Sequence, residues 1–315
     1  MSIAFVYPGQ GSQVIGMGKD LYNNFSAAQN VLDEICTSLR QDLKSLMFEG
    51  PIDELTLTEN TQPAMLAASM MAQRVLEAEL GKPIDILCKA VAGHSLGEYS
   101  ALTAARGFSL EDAAILVKLR GNAMQKAIPV GTGAMAAIIG LEMLDLEDIL
   151  EQRPNKEKIA QVANDNSPGQ IVISGHTEAI TWVIEKAKEK GAKRALLLPV
   201  SAPFHCELMQ PAAYIMEQAL SSIEINPCKV NIYANVTANI AENVQDIPPL
   251  LVKQITGRVR WVELIKNMVS SGIDTFVEIG TGKVLSGLIK RIAPETSVYN
   301  FGSKEDLEIV RKLWA

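Results

Sequence analysis

Five consecutive apolar residues, Ile3–Tyr7, open the chain and run into the turn of PGQG. A short apolar run bounded by turn residues predicts a buried strand. Apolar positions at helical spacing follow over Pro63–Leu80, with Pro63 suited to a first turn and Gly81 and Pro83 to a stop. Ala90–Ala92 predicts a short strand leading into Gly93, Glu98–Ala105 a helix, and Leu110–Ile128 another. Strands that alternate with helices predict an α/β fold with a mostly parallel sheet covered by helices.

The middle of the chain changes grammar. Ala134–Leu141 predicts a strand, Leu144–Gln152 a helix, Lys158–Ala163 and Gln170–Ser174 strands, Thr177–Lys190 a helix ended by Gly191, and Arg194–Val200 a last strand. That order is βαββαβ, the ferredoxin-like unit. Residues 129–200 therefore read as a small subdomain inserted into a larger one formed by residues 1–128 and 201–315. The larger unit resumes with a helix after Pro211, a strand at Lys229–Ala234, a helix at Val262–Ser271, a strand at Thr275–Ile279 and a helix at Val284–Ile292.

A chain of 315 residues buries a core of this size without disulfides or metals. Its net charge of −7 argues against nucleic acid as the main partner, because phosphate binding wants a basic face. Cys36, Cys88, Cys206 and Cys228 are scattered without metal-ligand spacing, as expected of free thiols in a reducing cytoplasm. The N-terminal apolar run has no basic segment ahead of it and reads as a core strand rather than a signal peptide. No stretch approaches the ~20 apolar residues that span a bilayer. The expectation is a cytoplasmic protein with no membrane partner and no metal site.

The chemistry gathers at Gly93-His94-Ser95-Leu96-Gly97, a G-x-S-x-G between a predicted strand and a predicted helix. A sharp turn there exposes the serine hydroxyl, and flanking glycines let neighbouring backbones come close. The helix behind it aims free N–H groups at the same spot, so the Leu96 N–H is an expected oxyanion donor. A neutral hydroxyl needs a base, and the chain has three histidines. His94 adjoins Ser95 in the turn and is poorly placed to reach back. His176 lies between a strand end and a helix start, where a structural role suffices. His205, in the loop VSAPFHCELMQPA, is the favoured base. Spacing singles out no acidic partner to orient it. Arg120, within a predicted helix, is either a solvated cation or, if it faces Ser95, a bidentate holder of a carboxylate. YPGQGSQ lacks the third glycine of a dinucleotide fingerprint, and GTGK at Gly280–Lys283 does not complete a phosphate loop.

Together these segments resemble the malonyl-CoA:acyl carrier protein transacylases of fatty acid synthesis. The resemblance covers essentially the whole chain and rests on PGQGSQ, TENTQPA, GHSLGEYSAL, LRGNAMQ, SPGQIVISG, PFHCELMQPA, LVKQITGRVRW and EIGTGKVLSGLIKRI in that order. It implies an α/β-hydrolase-like core with a ferredoxin-like insert. Ser95 would be the nucleophile and His205 its base, with Gln254 orienting His205 through its backbone carbonyl. The N–H groups of Gln10 and Leu96 would form the oxyanion hole. Arg120 would pair with the malonyl carboxylate, and Gln62, Met124 and Asn166 would line or support the pocket. Phe204 before the histidine resembles the malonyl-selecting type among related polyketide acyltransferases. Thr281 departs from the proline common in GPGK, which loosens a turn. The implied partners are malonyl-CoA, a CoA thioester used as substrate, and acyl carrier protein, with no permanently bound cofactor. EKAKEKGAKR is net positive, so Lys190 and Arg194 are candidate contacts for an acidic carrier. Two other function classes share parts of this pattern. A serine hydrolase such as a thioesterase would use the same nucleophile but has no use for a buried Arg120. A non-catalytic carrier-binding module would have no need of Ser95 and His205.

Overall fold

The computed structural model describes residues 1–200 and 202–314. Five parallel strands form the main sheet: β1 (Ile3–Tyr7), β2 (Ala90–Gly93), β7 (Asn231–Tyr233), β8 (Thr275–Ile279) and β9 (Ser297–Phe301), in the order β7-β2-β1-β8-β9. Every residue of β1, β2 and β8 is buried, as befits parallel strands covered on both faces. Ile3, Phe5, Tyr7 and Val91 pack into the core under the helices Ser26–Leu39, Thr58–Leu80 and Leu110–Lys126. Ala4, Val6, Ala90 and Ala92 face the opposite way, under Trp261–Ser270 and Val284–Ile292.

Between β2 and β7 the chain builds a second sheet. Its strands β3 (Gly133–Ile139), β4 (Ala160–Ser167), β5 (Gln170–His176) and β6 (Arg194–Leu197) are all antiparallel, in the order β4-β5-β3-β6. Alternation sorts the two faces. Ala136, Ile138, Ile171 and Ile173 form a separate core with the helices Met143–Glu151 and Thr177–Glu189. Met135 and Val172 point the other way and join the main core. Beyond that contact, Val259 pairs with Asn164 at the β4 edge, its N–H on the Ala163 carbonyl at 2.8 Å and its own carbonyl accepting from Asp165 at 3.0 Å.

The predicted βαββαβ succession is present, and Thr275–Ile279 and Val284–Ile292 have the predicted bounds. The boundary expected at Ser201 falls outside the described residues. One expectation shifts: the long helix starts at Thr58, so Pro63 sits inside it rather than in its first turn. Proline there removes one donor, that to the carbonyl four residues back. The helix continues because its next two turns are wholly buried. The segments before Thr58, the helix Ile247–Thr256, β9 and the helix Lys304–Val310 carry structure that the sequence pattern did not mark. No helix among the described residues is long and apolar enough to cross a membrane.

Candidate active site

The turn between β2 and the helix Gly97–Ala104 is built by backbone crowding. A Cβ on Gly93 would stand 1.8 Å from the Gly97 carbonyl oxygen, and one on Gly97 would stand 2.2 Å from that of Tyr7. A Cβ on Gly9 would meet the His94 carbonyl at 2.5 Å. Only glycine fits at these three places, and the loop after β1 is thereby pressed against the Ser95 turn. Ser95 itself has φ +55°, a left-handed conformation that costs a non-glycine residue about 1–3 kcal/mol. The fold retains it through Asn235, whose side chain accepts from the Ser95 N–H at 2.8 Å and donates to the Gly93 carbonyl at 2.7 Å.

Ser95 Oγ lies 2.7 Å from His205 Nε2. His205 Nδ1 lies 2.7 Å from the Gln254 backbone carbonyl, in the last turn of Ile247–Thr256, where carbonyls lack helical partners. That acceptor places the ring proton on Nδ1 and leaves the Nε2 lone pair facing the hydroxyl. His205 is also left-handed, with φ +61°. Burial, and next the nearby Arg120 cation, pull its pKa down to about 3. The imidazole is therefore neutral and ready to accept a proton across the working range. With an acyl donor that lacks a carboxylate, the acylation rate is expected to stay level as pH falls through the ordinary histidine value of about 6.5; single-turnover rates across that interval check this.

Arg120 is 1% exposed. Its Nη2 donates to Ser95 Oγ at 3.1 Å and to Gln254 Oε1 at 2.9 Å, and its guanidinium lies 5.6 Å from the centre of the Tyr99 ring. Its Nε finds no partner among the described residues. The sequence left Arg120 open between a solvated and a site-facing cation; it faces the site. The Leu96 and Gln10 N–H groups donate to no described residue, and the crowded glycines bring their two loops together.

A cleft of about 200 Å³ opens above Ser95. Gln10, Gln62, Ser95, Arg120, Met124, Phe204 and His205 line its lower part, while Met135, Asn164, Asn166 and Val172 of the antiparallel sheet roof it together with Leu198 and Val200 just after β6. Asn166 Oδ1 lies 2.8 Å from His94 Nε2, so His94 faces away from the hydroxyl toward the roof. His176 has a structural place: its Nδ1 accepts from the Ile159 N–H at 2.9 Å. The structure thus brings together Ser95, His205, Gln254, Arg120, Gln10, Leu96, Gln62, Met124, Asn166 and Phe204. Lys190 and Arg194 stand apart. Lys190 follows the helix Thr177–Glu189, on the sheet face opposite the cleft, 3.5 Å from Asp145. Arg194 lies on the edge strand β6, four residues before Leu198 and about 13 Å along it. GTGK is a structural turn: Glu278 of β8 accepts from the N–H groups of Leu285 and Ser286, filling the helix N-terminus a phosphate would need.

Sequence reasoning passed over Glu98, Asn164 and Asn235. Glu98 lay in view inside GHSLGEY, but a glutamate in a first helical turn carries no mark of burial. The polar asparagines Asn164 and Asn166, one residue either side of Asp165, were the available sign of a roof that faces a site.

A serine hydroxyl on a neutral, oriented imidazole, beside two N–H groups without a described acceptor and a buried cation, is an arrangement that suits acyl transfer. The model of the acyl transferase domain matches residues 4–297. The chain belongs to the acyl transferase family. This acyl transferase is 44% identical to the malonyl CoA-acyl carrier protein transacylase of Bacillus subtilis, over 98% of this chain and 95% of that one. It superposes on the acyl-carrier-protein-S-malonyltransferase of Bartonella henselae with a TM-score of 0.97 and 50% identity, covering 99% of each chain. A malonyl-transacylase in complex with a type II PKS acyl-carrier protein matches at 40% identity and a TM-score of 0.95, over 99% of this acyl transferase and all of that chain.

Proposed function

We propose that this chain moves a malonyl group from malonyl-CoA to the phosphopantetheine thiol of acyl carrier protein, through a malonyl ester on Ser95, in fatty acid synthesis. The observation that carries the reading is a buried guanidinium 3.1 Å from the serine hydroxyl. An acyl group with a second carboxylate repays its burial; a neutral one does not. His205 Nε2 takes the Ser95 proton as Oγ attacks the thioester carbon. The oxyanion is held by the N–H groups of Leu96 and Gln10. Coenzyme A leaves as a thiol with the proton from His205. The carrier thiol then gives its proton to His205 and attacks the ester carbon; the carbon–Oγ bond breaks and Oγ takes the proton back from His205, which restores Ser95. Arg120 keeps Gln254 Oε1 on its Nη2 and offers its remaining N–H groups to the malonyl carboxylate, while Gln62, Met124, Asn166 and Phe204 shape the pocket. These steps balance without a resident cofactor. The main sheet with its helices is taken as an α/β-hydrolase-like core, residues 1–128 and 201–315. Residues 129–200 form a ferredoxin-like insert. The setting is the cytoplasm.

The test is labelling with radioactive malonyl-CoA. Label on the Ser95 peptide that passes to added carrier protein supports transfer; malonate release without an acceptor supports a hydrolase instead. Arg120→Ala is expected to lower the malonyl-to-acetyl ratio of kcat/KM by about 10- to 100-fold, the worth of a hydrogen-bonded charge contact. An unchanged ratio rules this role out. Lys190 and Arg194 are proposed to steer the acidic carrier. Charge reversal at both is expected to raise KM for the carrier severalfold, and more so at low salt, with Ser95 acylation by malonyl-CoA unaltered.

A further inference from the structure

Among the described residues Glu98 is the one carboxylate hydrogen-bonded to Gln254, and the steps above do not use it. It stands in the first turn of the helix Gly97–Ala104, 2% exposed. Its Oε2 accepts from Gln254 Nε2 at 2.7 Å and from the Asn235 backbone N–H at 3.2 Å. Gln254 Nε2 also donates to the Ser95 carbonyl at 2.9 Å. A side-chain amide has one donor end and one acceptor end. An ionised carboxylate only accepts, so it compels Gln254 to turn its NH2 toward Glu98. Gln254 Oε1 must then face outward, where it accepts from Arg120 Nη2 at 2.9 Å. The opposite amide orientation would aim two N–H groups at a guanidinium, which has only donors.

We propose that Glu98 is a positioning residue that fixes the orientation of the Gln254 amide and so keeps Arg120 aimed at the acyl pocket. This rests on the transacylase reading and deepens it: selectivity for a carboxylated acyl group depends on a carboxylate that never touches the substrate. Glu98 also supplies the negative charge that a buried Arg120 requires in the free protein. A protonated Glu98 carries an O–H and no longer dictates the amide. Burial raises its pKa to about 7, against the pull of Gln254, Asn235 and Arg120. Among the described residues the charged or titratable groups that act on it are Arg120, from the helix Leu110–Lys126, and Tyr99, from its own helix; His205 lies beyond Gln254, with Nδ1 on its backbone carbonyl. Tyr99 is raised to about 12 and His205 lowered to about 3, so neither changes charge near neutrality.

The test compares the wild-type chain with Glu98→Gln, each assayed with malonyl-CoA and acetyl-CoA. Wild-type malonyl transfer comes first. Its absence removes the functional reading, whereas its presence beside an unaltered Glu98→Gln removes only the role of Glu98. Glu98→Gln is expected to lower kcat/KM for malonyl-CoA about tenfold, mainly through KM, because the contact to the carboxylate exists before the transition state. Transfer of acetyl should fall far less than transfer of malonyl, because that donor brings no carboxylate for Arg120 to hold. In a Gln254→Ala background, Glu98→Gln should leave the malonyl-to-acetyl ratio where it is. The wild-type ratio should fall as pH is lowered through about 7, and the ratio of Glu98→Gln should stay flat. This last arm on the wild type needs no variant to fold. Equal losses with both donors, additive losses on Gln254→Ala, or a wild-type ratio indifferent to pH would each overturn the proposal.

Discussion

Ser95→Ala yields a folded chain that carries no acyl group after exposure to malonyl-CoA and transfers none to the carrier. The substitution leaves the turn intact, since its tight backbone contacts belong to Gly9, Gly93 and Gly97 and the Ser95 N–H keeps Asn235. Only the hydroxyl disappears, and with it the atom 2.7 Å from His205 Nε2. His205 cannot replace it as the acceptor, because the turn holds the ring behind the hydroxyl with Nδ1 on Gln254. Where a nucleophile is removed, what survives is the small catalysis of the oxyanion site and of binding, and neither yields a covalent intermediate. Intact-protein mass spectrometry reads the result directly. An adduct that persists on Ser95→Ala would mean that another residue accepts the acyl group.

His205→Ala should slow acylation by about 10²–10⁴-fold, the usual worth of a positioned general base. The loss falls on kcat, since the ring acts on the Ser95 proton and adds little to substrate binding. Its partner at Gln254 is a backbone carbonyl, so Gln254→Ala should retain the oriented base and lose far less. His176→Ala should leave transfer near the wild-type rate, because that ring holds only the Ile159 amide. Stopped-flow acylation of the three variants separates the roles. If His176→Ala fell and His205→Ala did not, the base would lie elsewhere.

Much of the architecture was legible because it rests on local pattern. Ile3–Tyr7 is apolar throughout and is buried on both faces. The alternation in the middle of the chain places Ile171 and Ile173 on one face and Val172 on the other. What escaped depends on context. Pro248 and Pro249 look like breakers, yet they occupy the first turn of Ile247–Thr256, where the missing N–H groups have no helical partner anyway. The same holds at the site. G-x-S-x-G marked Ser95 because its turn is made by neighbouring residues. The link from Glu98 through Gln254 to Arg120 joins residues far apart in sequence. Nothing about a helical arginine or a first-turn glutamate tells that they will share one amide.

The cleft has a floor and a roof from different parts of the chain, and the two do not tolerate change alike. The floor is a meeting of backbones, where one added methyl at Gly93 or Gly97 collides with a carbonyl. The roof is a set of side chains from the antiparallel sheet and the segment that leaves it, Met135 and Val172 on the sheet and Leu198 and Val200 after β6. Size changes at these four fall on side chains that line the cleft, outside the hydrogen bonds that set Ser95, His205 and Gln254. A library that seeks bulkier acyl groups therefore belongs on β3, β5 and the strand exit after β6, with every glycine of the floor held constant.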